Sequence, residues 1–146
     1  MSQDLALRAK PAFEAVFVLG PSSSGKTTLC EALASALRIP PAQYIKEVAR
    51  TVMKTHGFTR DDTDTYEMQH AIMTAQLRAE QIAMAAVAQR NAHGLILSDR
   101  SAVDPIVYAG TSTASGAEER RQRLLHDDAF RTILPFYQRS LFGKLN

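Results

Sequence analysis

An α/β fold, strands alternating with helices around one sheet, is the class that three observations predict. Residues 13–19 and 95–98 are short apolar runs, β-branched or aromatic in part, that read as buried strands. The stretches following each run carry apolar residues at helical spacing, so strands and helices alternate along the chain. The first run also passes into its helix through a glycine- and serine-rich turn, a strand–loop–helix unit.

That turn is the most specific feature of the chain. Gly20, Pro21, Ser22, Ser23, Ser24, Gly25, Lys26 and Thr27 spell G-x-x-x-x-G-K-[ST], the phosphate-binding loop, and Thr28 continues it into the helix. In such a loop, backbone N–H groups and the positive end of the helix dipole converge on phosphates. Glycine at positions 20 and 25 allows backbone angles and close approach that a Cβ would block. Lys26 is placed to reach the β- and γ-phosphates, and the Thr27 hydroxyl to coordinate Mg²⁺. The bland alternative, a Ser/Gly turn capping an ordinary helix, does not account for every element being in register. The expected ligands are therefore ATP and Mg²⁺. Leu29, Leu33 and Leu37 recur at one-turn intervals after the loop and predict the helix that follows it.

The bulk composition narrows the remaining classes. With 146 residues, 45% of them hydrophobic, the chain can bury one core: a tail over residues 1–12 and one domain over 13–146. A net charge of +2 without a basic stripe argues against a nucleic-acid partner. Cys30, the single cysteine, cannot form an internal disulfide and reads as a small buried apolar residue. No apolar run reaches membrane-spanning length and residues 1–10 lack a compact secretory segment, so a cytoplasmic location without a membrane partner is expected. Residues 110–116 read as a surface loop.

Pro40 and Pro41 end the first helix, and residues 42–45 read as a brief strand or the approach to a helix. Residues 46–53 form an amphipathic helix ending near Gly57. A long helix is predicted from Thr65 to about Asn91, with Asp64 as N-cap and Glu67 three residues on. The acidic cluster at 61–64 is thus better read as capping than as a metal site. Residues 91–94 close the helix in C-cap fashion.

Asp99 ends the second strand and is followed by Arg100. An acid at the carboxyl end of an apolar strand, downstream of a phosphate loop, suits the Mg²⁺ shell or activation of an acceptor. In open α/β sheets ligands lie beyond the strand carboxyl ends, where Thr27 and Asp99 both fall. Arg100 adds a charge suited to a transferring phosphoryl group. The alternative for Asp99 is an N-cap of a helix over 103–109, a role Ser101 fills equally well. Lys26, Asp99 and Arg100 are the catalytic candidates, and Thr27 and Asp99 the metal ligands.

Three segments together carry a family resemblance: the phosphate loop, then Glu47-x-Ala49-Arg50, then Asp99-Arg100-Ser101-x-x-Asp104-Pro105-x-x-Tyr108-Ala109. From about Phe13 to Tyr108 the chain resembles the AAA-domain family typified by bacterial ribosylnicotinamide kinase domains. The resemblance implies a three-layer α/β/α P-loop NTPase with a mainly parallel sheet that transfers the ATP γ-phosphate to a small metabolite such as a nucleoside. It also implies that Glu47, Arg50, Gln76 and Asp104 face the acceptor, with Glu80 sharing the Gln76 face of its helix. Apart from the resemblance, Glu47 and Arg50 read as an exposed intrahelical ion pair. A reading from another class is a nucleotide-binding regulatory or interaction module without kinase turnover.

Beyond Tyr108 the family pattern leads one to expect a further strand, an arginine-bearing lid and an adenine loop. Instead a helical segment over 117–133 and then 134–142 are predicted, and acidic residues interleave with Arg120, Arg121, Arg123 and Arg131 as on a solvated face. Ser140, Leu141 and Phe142 read as the start of the next strand. The chain is accordingly expected to lack its C-terminal strands and lid, leaving an edge of residues 13–19 open to self-association or to completion by another chain.

Overall fold

The structure, a computed structural model, describes residues 13–20, 25–89 and 94–145, with backbone path alone at 13 and 138–145. The predicted tail, Pro21 to Ser24 of the phosphate loop and the predicted C-cap at 91–93 lie outside the described residues. Strand β1 (Phe13–Val18) leads to α1 (Lys26–Ala36), a 3-10 turn (Pro41–Gln43) and β2 (Tyr44–Ile45). Then come α2 (Val48–His56), a second 3-10 turn (Arg60–Asp62) and the long α3 (Tyr66–Gln89). Strand β3 (Gly94–Asp99) is followed by α4 (Asp104–Thr111), α5 (Ala117–Leu125) and α6 (Asp128–Leu145). None of the described helices is long and apolar enough to cross a membrane.

The predicted α/β class is the observed one. The three strands pair in the order β1-β3-β2, all parallel, so each connection must cross over through helix. Alternation along β3 sorts the two faces of the sheet. Ile96 packs with Ala83 and Val87 of α3 and with Ile45 of β2, and Ser98 hydrogen-bonds Gln76 of α3. Asp99 points to the opposite face, where it meets Thr27 at the start of α1. A second core cluster joins α3 to α4, α5 and α6 through Met73, Leu77, Ile106, Leu124, Phe130 and Tyr137. Each large apolar side chain fully buried there contributes about 1.5–3 kcal/mol.

Several local expectations are corrected. The N-cap of α3 is Thr65, whose hydroxyl accepts the Met68 N–H, and not Asp64. The turn Arg60–Asp62 has its own capping box, Thr59 with Asp62, which moves the helix start one residue on. Asp64 instead accepts from the Ser112 hydroxyl at 2.6 Å. Ser140, Leu141 and Phe142 do not begin a strand but continue α6. Asp127 caps that helix by accepting the Phe130 N–H, and once a helix is nucleated each further residue adds a bond, which a three-residue apolar run does not reverse. Helix α1 buries Lys26 and Cys30, leaving Leu29 and Leu37 about half exposed at 51% and 55%, so its leucine stripe is not its buried face. Among the described residues β1 pairs only with β3.

At Gly94 helix α3 approaches the sheet too closely for a side chain. A Cβ there would lie 2.6 Å from Cγ1 of Val87, a fully buried and β-branched side chain that cannot swing away. Gly94→Ala is therefore expected to destabilise the fold by about 1–3 kcal/mol, the usual result of overpacking, read as a lower urea midpoint at unchanged slope.

Candidate functional site

Because the sheet is parallel, all three strands deliver their carboxyl ends to one edge. Gly20 leaves β1, Lys46 and Glu47 leave β2, and Arg100 leaves β3 there. The register sets Val18 beside Asp99 and Ile45 beside Ser98, so these exits stand at the same level. The Arg100 N–H donates to the Val18 carbonyl at 3.1 Å and ties the end of β3 to the end of β1.

Helix α1 opens onto this edge. Gly25 is its N-cap with φ 86, a left-handed conformation that a side chain would strain. Among the described residues no side chain caps the first turn, so its N–H groups and the positive end of its dipole face the loop. Lys26 is buried to 8% exposure despite its charge, which is unusual for lysine outside a polar setting. Thr27 donates its hydroxyl to Oδ2 of Asp99 at 3.2 Å, across 72 positions of sequence. Oδ1 of Asp99 is buried and has no hydrogen-bond partner among the described residues. A hard divalent cation suits that donor set: a hydroxyl and a carboxylate at one point, with a carboxylate oxygen still to be satisfied. Thr28 is exposed on the first turn. Cys30, one turn on, is buried, and burial with the nearby Asp99 charge pushes its thiol pKa up, keeping it protonated.

Asp99 is not the cap of α4. The N-cap is Val103, with no side-chain cap among the described residues, and Ser101 and Asp104 brace the turn before it. Asp104 Oδ1 accepts the Ser101 N–H at 3.1 Å and the Ser101 hydroxyl at 2.9 Å, while Ser101 Oγ accepts the Val103 N–H. Burial pushes the Asp104 carboxyl up, against the Ser101 hydrogen bonds and the Arg100 and Lys26 charges. Arg100 has φ 87, left-handed for a non-glycine residue, and its guanidinium lies 3.7 Å from Asp104. Lys26, Thr27, Asp99, Arg100 and Asp104 thus gather at one edge.

The remaining acceptor candidates divide. Arg50 pairs with Glu47 at 3.0 Å on an exposed face, the ion pair of the alternative reading, although Glu47 is the N-cap of α2 and stands outside the helix. Glu47 nonetheless sits at the exit of β2 with a left-handed backbone, φ 57. Gln76 donates to Ser98 Oγ at 2.9 Å in the interior, and the Ser98 hydroxyl donates onward to the Arg100 carbonyl at 2.8 Å. Beside it, Glu80 is 1% exposed and accepts from the Tyr137 hydroxyl, which accepts the Ala102 N–H at 3.3 Å. Sequence reading missed Ser98 and Tyr137. For Ser98 a signal existed, a hydroxyl at the end of an otherwise apolar strand; Tyr137, distant in sequence, gave none.

A family model described as AAA domain matches residues 15–136. The match reaches past Tyr108 through α5 into α6, beyond the extent that the sequence resemblance covers. No curated protein and no solved structure gave a match.

The buried Glu80 has a consequence for stability. Desolvation raises its pKa from 4.5 to about 7, with the Asp104 charge adding to the rise and hydrogen bonds from Tyr137 and Gln76 opposing it. Between those values the folded chain keeps a proton that the unfolded chain releases, so this group's contribution falls as pH rises through the window. Thermal melting should be higher at about pH 5 than at about pH 8, and Glu80→Gln should flatten that difference. An unchanged pH difference in the variant would assign it to other groups.

Proposed function

We propose, for a chain that belongs to the AAA-domain family of P-loop nucleotide-binding proteins, that it binds Mg-ATP at the shared carboxyl edge of β1 and β3 and transfers the γ-phosphate to a small metabolite such as a nucleoside. The single observation that carries this reading is the contact of Thr27 with a half-satisfied, buried Asp99 at the N-terminus of α1. Thr27 and Asp99 would hold Mg²⁺, which supplies neutralisation of the β- and γ-phosphate charge. Lys26 is the cation for the β- and γ-phosphates, and the first turn of α1 donates N–H groups to them.

In the transfer, the acceptor oxygen forms a bond to the γ-phosphorus as the bond to the β–γ bridging oxygen breaks, leaving ADP. Asp99 is suited to orient the acceptor hydroxyl and take its proton, and Arg100 to meet the charge on the transferring group. Glu47, at the exit of β2, and Asp104, beside Arg100, are the acceptor-side candidates on the same edge. Gln76 enters this reading through the turn it supports, given its buried bond to Ser98.

Two variants test the reading. Lys26→Ala should weaken ATP binding by about 1.5–3 kcal/mol, roughly ten- to a hundredfold by calorimetry, with helix content preserved by circular dichroism. Equal affinity would remove the phosphate-loop assignment. Asp99→Asn should change ATP affinity little but lower acceptor-dependent ATP consumption about a hundredfold or more, as expected of a carboxylate acting on developing charge. Undiminished turnover would place the acid elsewhere.

A further inference from the structure

The turn that carries Arg100 is strained and is held from beneath by buried polar groups. Arg100 occupies φ 87, a conformation that non-glycine residues hold only when their surroundings impose it. On one side the Ser98 hydroxyl, itself held by Gln76, donates to the Arg100 carbonyl. Two residues on, the Ala102 N–H donates to the Tyr137 hydroxyl, and that hydroxyl donates to Glu80. Ala102, Glu80 and Tyr137 are each 1% exposed or less, so these bonds are shielded from competition by solvent. Tyr137 is braced by an edge-on contact with Phe17 of β1, ring centroids 5.4 Å apart, and by Phe130 and Phe136 of its own helix. The chain Glu80–Tyr137–Ala102 thus spans α3, α6 and the segment after β3, elements far apart in sequence. A buried carboxyl whose Oε2 has no partner among the described residues is costly for packing alone, since an apolar side chain would fill the space without desolvating an oxygen.

We infer that Glu80 and Tyr137 are positioning residues that, through the Ala102 N–H, hold the Arg100 turn in its left-handed conformation and so aim Arg100 at the transferring phosphate. Both act on the turn through the backbone N–H of Ala102. The inference rests on the phosphoryl-transfer reading for its consequence in turnover but on the hydrogen bonds alone for the turn.

Tyr137→Phe deletes the hydroxyl and keeps the ring contacts. In the full chain it should leave the ATP dissociation constant within about threefold of wild type and lower kcat by roughly ten- to a hundredfold, the loss that accompanies a misplaced group near the chemistry. Glu80→Gln retains a carbonyl to accept from Tyr137 and should keep kcat near wild type, whereas Glu80→Leu should lose as much as Tyr137→Phe. Hydrogen exchange supplies a readout independent of turnover: the Ala102 amide should be protected in the wild-type chain, and at least about tenfold less so in Tyr137→Phe with β3 amides unchanged. Unchanged kcat in Tyr137→Phe, or equal losses in Glu80→Gln and Glu80→Leu, would overturn the positioning role. If Tyr137→Phe does not fold, an unprotected Ala102 amide in the wild-type chain overturns the inference by itself. A wild-type chain that consumes no ATP, with Ala102 protected, overturns the phosphoryl-transfer reading and leaves the anchored turn standing.

Discussion

Parallel, in-register pairing of β1 with β3 is the constraint on which the site depends. With Val18 opposite Asp99, both strands end at one level, and the residue after β3 can bond back to the last carbonyl of β1. A slip of one residue would turn Asp99 to the α3 face and Ser98 to the α1 face, separating the carboxylate from Thr27. The register is enforced by what each face buries: Ile96 among the alanine and valine of α3, and Gly94 where α3 comes too close for a Cβ. Packing on the α3 face of the sheet therefore decides whether a hydroxyl and a carboxylate 72 positions apart can meet on the other.

The same edge, with the layer directly beneath it, concentrates unfavourable features that folding alone would not select. Asp99 and Glu80 each bury an oxygen without a partner among the described residues, and Glu47 and Arg100 hold left-handed backbone angles. Strain and unmet polar groups of this kind cluster where a ligand or a reaction uses them. Their cost is offset by the apolar cluster of α3 with α4, α5 and α6.

What was legible in the sequence follows from the range of the interactions involved. Gly25, Lys26 and Thr27 were recognisable because a phosphate loop is a local device: its glycines, cation and hydroxyl must be contiguous. Asp99 was recognisable because a single acid ends an apolar strand. The α/β class followed from alternating strand and helix patterns, and the family match agrees with it. Boundaries set by competition between neighbours were less readable. Thr65 displaced Asp64 as a cap because a preceding 3-10 turn consumed its own residues. The helix break fell at His126 and Asp127 instead of beside Pro135, which α6 carries inside it. Tyr137 and its bond to Glu80 join positions 57 residues apart, and no local pattern encodes such a pair.

The central claim is that Thr27 and Asp99 meet in order to share a metal with the nucleotide. Crystals of the chain grown with Mn²⁺ and a non-hydrolysable ATP analogue test it most directly, because the anomalous signal of manganese locates the ion without assumption. The account predicts a single strong peak bonded to Thr27 Oγ1, at about the 2.0–2.2 Å expected of a hard cation and oxygen, with Asp99 bonded to it directly or through one water. A nucleotide bound with its phosphates away from the start of α1, or a metal peak with neither Thr27 nor Asp99 in its surroundings, would contradict it.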